Sequence, residues 1–131
     1  MAMNVPTNEQ KEALWKAYGA RKPTRVPLRW NTNVRIILLN PELNPEGYTF
    51  EQYFHDPKTI LTIQSRHQEY VATVLNTMCD RPVGLPDRWH FGVDNQNTYD
   101  GAFFGTEVKF HSDQCPSNVP CMTETNVGAF M

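Results

Sequence analysis

Apolar and polar residues alternate along residues 88–93, and the alternation ends in a run of carboxylate and amide side chains. Trp89, Phe91 and Val93 are spaced two apart, so a β-strand would place all three on one face. Parallel α/β folds carry ligands and chemistry at the carboxyl ends of their strands. The polar residues that follow this predicted strand are Asp94, Asn95, Gln96 and Asn97. Asp and Asn also form turns and helix caps, so the run by itself is interpreted as a turn.

Two helices are predicted from capping residues and helical periodicity. Thr7 and Gln10 have the spacing of a capping box, which predicts a helix over residues 7–18. Asp56 is a good N-cap and Pro57 suits the first helical position, so a second, longer helix begins there and ends near Met78. Its apolar stripe follows the 3.6-residue period through Ile60, Ile63, His67, Tyr70, Val71, Val74, Leu75 and Met78.

Residues 25–30 alternate in the same way as residues 88–93, with Val26, Leu28 and Trp30 on one face. Strand, long helix and strand form a βαβ unit, whose crossover is right-handed and whose strands are parallel. A further short strand is predicted at residues 106–110. The predicted fold class is therefore α/β: a partial (β/α) barrel segment with a βαβ unit, an N-terminal helix and a short additional strand.

Residues 31–55 contain an apolar run followed by two Asn-Pro steps and a glycine, which force turns. They are interpreted as an excursion over the surface, attached by its aromatic side chains to the next helix. Two parallel strands leave two unpaired edges, and parallel sheets are buried on both faces. The chain is thus expected to be a fragment of a larger barrel or to be completed by a partner.

Length and charge restrict the classes of function. The 131 residues make one domain, residues 1–131, in which residues 112–131 are predicted to be an irregular tail. A net charge of -2 with 12 scattered Lys and Arg residues gives no basic stripe for nucleic acid or an anionic membrane. No apolar run approaches the ~20 residues of a membrane span. Three cysteines without a secretory signal indicate reduced thiols and a cytoplasmic location.

Several stretches in order resemble the uroporphyrinogen decarboxylase-like superfamily, which includes tetrapyrrole decarboxylases and corrinoid-dependent methyltransferases. RVP within KPTRVPLRW is similar to the family's entry into its first barrel strand, and YFHDPKTILTIQSRHQEYV is similar to its first long helix. HFGVDNQN followed by AFFGTEVKF resembles its second strand, an acidic strand end, a short helix and a further strand. The resemblance covers most of this chain but only the first third of the family's fold.

The resemblance implies roles for particular residues. Asp94 matches the family's acidic residue that accepts hydrogen bonds from pyrrole N–H groups, and it is expected to stabilise developing positive charge. Arg35 matches one arginine of a loop that binds substrate carboxylates. Asn31 or Thr32 stands where another arginine is expected, which argues against porphyrin decarboxylation itself. The further polar contacts expected from this resemblance are Asn95, Gln96 and Asn97.

Other cofactor chemistry is not predicted. His111, Cys115 and Cys121 are close in sequence but include no C-x-x-C pair, so no metal site is expected. Gly101 and Gly105 fit neither a dinucleotide-binding nor a Walker pattern. No cofactor is therefore assigned.

Two functions remain open. In the first, the chain is the N-terminal part of a uroporphyrinogen decarboxylase-like protein and forms one wall of a pocket for a carboxylated or tetrapyrrole-type small molecule. It is not catalytic alone, so any lyase or methyltransferase activity requires a longer chain. In the alternative, it is a stand-alone, non-catalytic ligand-binding or interaction module that forms a homo-oligomer through its open sheet edges.

Overall fold

The computed structural model describes residues 5–94, 98–121 and 128. These residues form a mainly helical structure with one small sheet. In chain order the elements are α1 (Asn8–Gly19), α2 (Arg35–Leu38), α3 (Phe50–His55), α4 (Pro57–Thr73), a 3₁₀ helix (Leu75–Met78), α5 (Tyr99–Phe103), β1 (Val108–Lys109) and β2 (Ser117–Asn118). The strands β1 and β2 are antiparallel, with Val108 opposite Asn118 and Lys109 opposite Ser117.

The predicted α/β fold class, a partial (β/α) barrel segment with a βαβ unit, is wrong. Among the described residues, strand pairing is confined to β1 and β2, and residues 25–30 and 88–93 are not strands. The short strand predicted at residues 106–110 exists only as the two residues of β1. The physical reason is that Gln64 and Gln68 side chains bond the backbone of Gly92 and His90, and the carboxylate and N–H of Asp80 bond the backbone of Leu28, where a sheet would have neighbouring strands.

The capping signals of α1 and α4 are confirmed. The Thr7 hydroxyl accepts a hydrogen bond from the Gln10 N–H at 3.3 Å, and the Gln10 side chain accepts from the Thr7 N–H at 2.9 Å. The Asp56 carboxylate accepts from the Lys58 and Thr59 N–H groups at the start of α4, where Pro57 occupies the first turn. The α-helix ends at Thr73, and a 3₁₀ helix, which is wound more tightly, follows it from Leu75 to Met78. The helical region therefore ends at the predicted residue, Met78.

The hydrophobic core lies where α2 and α3 pack against α4. Its buried residues are Val34, Ile37, Leu38, Phe50, Tyr53 and Ile63. The prediction that residues 31–55 run over the surface is therefore wrong, because this stretch supplies most of the core. The buried Asn44 side chain holds the turn between α2 and α3: it donates to the Leu38 and Tyr48 carbonyls and accepts from the Tyr48 N–H.

Asp80, two residues after the 3₁₀ helix, joins three parts of the chain. Its buried carboxylate accepts hydrogen bonds from both terminal nitrogens of Arg25, at 2.7 and 2.5 Å, and from the Leu28 N–H at 2.7 Å. Its own N–H donates to the Leu28 carbonyl at 2.9 Å, and its carbonyl accepts from the Trp15 indole of α1 at 2.6 Å. Asp80 thus binds residues 25–28 and α1 to the end of the 3₁₀ helix.

We predict that Asp80→Asn destabilises the protein. The amide keeps the shape of the side chain but loses the charge that pairs with Arg25, and it presents a donor where two acceptors are needed. The loss should lower the free energy of unfolding by about 2 kcal/mol, measured by urea denaturation. Asp87→Asn, at an exposed position in the following loop, is the matched control. Equal unfolding midpoints for the two variants would contradict this role of Asp80.

The same carboxylate predicts a pH dependence. The hydrogen bond from Arg25 is the main reason why the pKa of Asp80 is lowered to about 2, against about 3.9 in an unfolded chain. A lowered folded-state pKa stabilises the fold above the unfolded pKa, and this stabilisation disappears as pH falls towards the folded pKa. The stability difference between the native chain and Asp80→Asn should therefore be constant above about pH 5 and shrink towards pH 2. Urea titrations at a series of pH values measure it; a constant difference down to pH 2 would refute the assignment.

Candidate functional site

Two glutamines of α4 hold residues 88–92 against the helix. Gln68 accepts a hydrogen bond from the His90 N–H at 2.9 Å and donates to the His90 carbonyl at 2.8 Å. Gln64, one turn earlier, makes the same pair of bonds with Gly92, at 3.0 and 2.6 Å. Alternate residues therefore direct their backbone groups to the same side, which is the pattern of an extended strand edge.

Gln64 is also fixed from the core side. It is buried, and its amide donates to the Tyr53 hydroxyl at 2.9 Å. Burial raises the pKa of the Tyr53 phenol above its usual value; the hydrogen bond from Gln64 opposes this shift and the negative charge of Asp94 adds to it. The phenol is therefore neutral near pH 7, and Asp94 lies close enough to influence it.

A second extended stretch, residues 28–32, faces residues 81–90 across an open groove. Leu28 is bound to Asp80 as described, and the Trp30 indole donates to the Met78 carbonyl at 3.1 Å. The Thr32 hydroxyl and the His67 Nε2 atom of α4 are hydrogen-bonded at 3.0 Å. These polar contacts attach residues 28–32 to α4, the 3₁₀ helix and Asp80.

The groove between them has a volume of about 480 Å³ and is lined by three arginines, Arg29, Arg81 and Arg88. We call it the arginine groove. No Asp or Glu is among its lining residues in the described part of the chain. Trp30 and several apolar residues, including Val71 and Pro86, supply the remainder of its wall. It therefore combines concentrated positive charge with apolar surface.

A smaller groove of about 240 Å³ adjoins it and contains Asp94. The two grooves share the lining residues Thr32, His67, Gln68 and His90. Burial is the main cause that lowers the pKa of His67, with the Thr32 contact acting in the opposite direction. The His67 imidazole is therefore neutral near pH 7, and the positive charge of the site comes from the arginines.

The residues predicted from sequence are only partly brought together. Asp94 lies in the small groove, beside the arginine groove. Arg35 begins α2, where its N–H donates to the Asn33 side chain at 3.1 Å, and it lines neither groove. The predicted contacts Asn95, Gln96 and Asn97 lie outside the described residues.

Sequence reasoning did not select the three arginines of the groove. A signal existed for Arg88, because the strand alternation placed it on the face opposite Trp89 and Phe91. Arg29 and Arg81 carry no comparable local pattern, since a long-range contact between Leu28 and Asp80 brings them to one groove.

The described residues contain no group of three His, Cys, Asp or Glu side chains placed to hold a metal ion. In the same part of the chain, no helix is both long and apolar enough to cross a membrane. The cysteines Cys79, Cys115 and Cys121 form no disulfide bonds within the described residues. Comparison with known proteins gives no matching protein family, no matching curated protein and no matching solved structure.

We predict that Gln68→Ala releases residues 88–90 from α4. The substitution removes both hydrogen bonds to His90, so the His90 amide should exchange with solvent about tenfold faster, and the free energy of unfolding should fall by about 1 kcal/mol. Amide hydrogen exchange followed by NMR measures the first effect. Gln114→Ala, at an exposed position, is the control. An unchanged exchange rate at His90 would show that Gln68 does not hold this segment.

Proposed function

We propose that the arginine groove binds a carboxylated small molecule and that this chain contributes one wall of the binding site without catalytic turnover of its own. The observation that carries the proposal is that three arginines and no carboxylate residue line one groove, although the chain as a whole has a net charge of -2. Like charges repel one another. The positive potential of the three arginines therefore attracts an anion to the groove.

The groove suits a small molecule that carries a carboxylate on an apolar ring or chain. Guanidinium groups present paired N–H donors that match the two oxygens of a carboxylate. Trp30, Val71 and Pro86 provide apolar surface for a ring or an aliphatic chain. The neutral His67 and the Thr32 hydroxyl, at the junction of the two grooves, add hydrogen-bonding groups without further charge.

Which carboxylated molecule binds in the groove stays a prediction. A tetrapyrrole-type ligand, and with it the role of Asp94 as a hydrogen-bond acceptor, depends on the resemblance to the uroporphyrinogen decarboxylase-like superfamily. The position of Asp94 beside the arginine groove is compatible with one molecule that contacts both. A cytoplasmic location is likewise proposed, because Cys79, Cys115 and Cys121 are not joined by disulfide bonds.

We predict that Arg29→Gln and Arg81→Gln each weaken carboxylate binding. The probe is pyromellitate, a benzene ring with four carboxylates, and calorimetric titration measures its affinity. Each substitution removes one charge-assisted pair, so the dissociation constant should rise about tenfold, and the affinity of the native chain should fall as salt is added.

Lys22→Gln removes the same charge at an exposed site outside the groove and should leave the affinity unchanged. The tetramethyl ester of pyromellitate keeps the ring but lacks the charges, and it should not bind. Equal affinities for the two arginine variants and the lysine variant would refute the proposed site.

A further inference from the structure

Trp30 has the largest side chain among the residues that line the arginine groove in the described part of the chain. It is 52% exposed, and its indole N–H already donates to the Met78 carbonyl at 3.1 Å. The N–H is the only polar group of an indole, so the surface that Trp30 still offers is apolar. Covering that surface with a ligand is favourable, because it removes apolar area from water.

Trp30 is also held in place before any ligand arrives. A tryptophan side chain turns about two bonds, and the hydrogen bond to Met78 restrains both. The backbone two residues earlier is held as well, since the N–H and the carbonyl of Leu28 are both bonded to Asp80. A group that is fixed in the empty protein loses little conformational entropy on binding. Trp30 therefore provides a preformed flat surface at the groove.

Arg81, which lines the same groove, is positioned by a second aromatic ring. Its guanidinium carbon lies 5.8 Å from the centre of the Trp15 ring, within the range of a cation–π contact. That ring is fixed in turn, because the Trp15 indole donates to the Asp80 carbonyl at 2.6 Å. The N–H donors of a guanidinium group lie in its plane, so contact through its face does not use them. Arg81 can therefore bind a carboxylate while it remains against Trp15.

We propose that the carboxylated ligand of the arginine groove is aromatic, with a planar ring that stacks on Trp30 and carboxylates that pair with Arg29 and Arg81. This inference rests on the proposed carboxylate binding and narrows its ligand class. Stacked aromatic rings attract each other beyond the area that they bury. A saturated ring is puckered and gains only the burial. The groove volume of about 480 Å³ lies within the range of small-molecule sites.

The other apolar lining residues do not provide such a surface. They are small and aliphatic: Val71, Ala72, Pro82 and Pro86. They bury the edges of a ligand of any shape and do not distinguish a flat ring from a puckered one. Trp30 is therefore the residue that determines the preference for an aromatic ligand.

A matched pair of ligands tests the proposal in the unmodified chain. Pyromellitate and cyclohexane-1,2,4,5-tetracarboxylate carry the same four carboxylates on an aromatic and on a saturated ring. In calorimetric titrations at about pH 8, where the carboxylates are ionised, pyromellitate should bind about fivefold more tightly. Equal affinities would overturn the aromatic preference and leave the proposed carboxylate site standing. Failure of both ligands to bind would overturn the two together.

Variants of Trp30 test whether its ring causes the preference. Trp30→Leu should bind both ligands with equal affinity, whereas Trp30→Phe, which loses the same hydrogen bond to Met78 but keeps a ring, should retain most of the preference. Trp89→Leu removes an exposed tryptophan that does not line the groove, so its preference should match that of the native chain.

Nuclear magnetic resonance reports the stacking directly. The ring protons of pyromellitate should shift upfield in the presence of the native chain, because they lie over the face of the indole, and this shift should be absent with Trp30→Leu. The proposal is overturned if Trp30→Leu keeps the native preference, or if Trp30→Phe loses as much of it as Trp30→Leu does.

Discussion

Two extended segments lack strand neighbours, and side chains of α4 together with Asp80, two residues after the 3₁₀ helix, take the place of those neighbours. A buried or partly buried backbone group must find a hydrogen-bond partner. A glutamine side chain carries the same donor and acceptor as a peptide group, so Gln64 and Gln68 present α4 to His90 and Gly92 as if it were a neighbouring strand. The Asp80 carboxylate and N–H do the same for Leu28. These contacts hold residues 28–32 and 81–90, which carry the three arginines of the groove, next to α4.

The groove walls are held by hydrogen bonds, so they are expected to open more easily than the core. The core between α2, α3 and α4 is closely packed, whereas the groove walls are fastened by a few hydrogen bonds at exposed positions. Segments with few buried apolar contacts open at low free-energy cost. A carboxylate that binds Arg29 on one wall and Arg81 or Arg88 on the other adds contacts between the two walls. The groove is therefore expected to be looser when empty and to become ordered when a carboxylate binds, while the core does not change.

Structural features that depend on a few neighbouring residues could be predicted from the sequence, whereas contacts between distant segments could not. The caps at Thr7 and Asp56 were predictable because a capping side chain acts on the next turn of backbone. The alternation at residues 25–30 and 88–93 indicates an extended chain but does not identify its partner, so side-chain pairing was mistaken for a sheet. The helices α2 and α3 have four and six residues, too few to show a period, and the core they form was missed. The groove arginines were missed for a related reason, since they are brought together by contacts more than fifty residues apart in the chain.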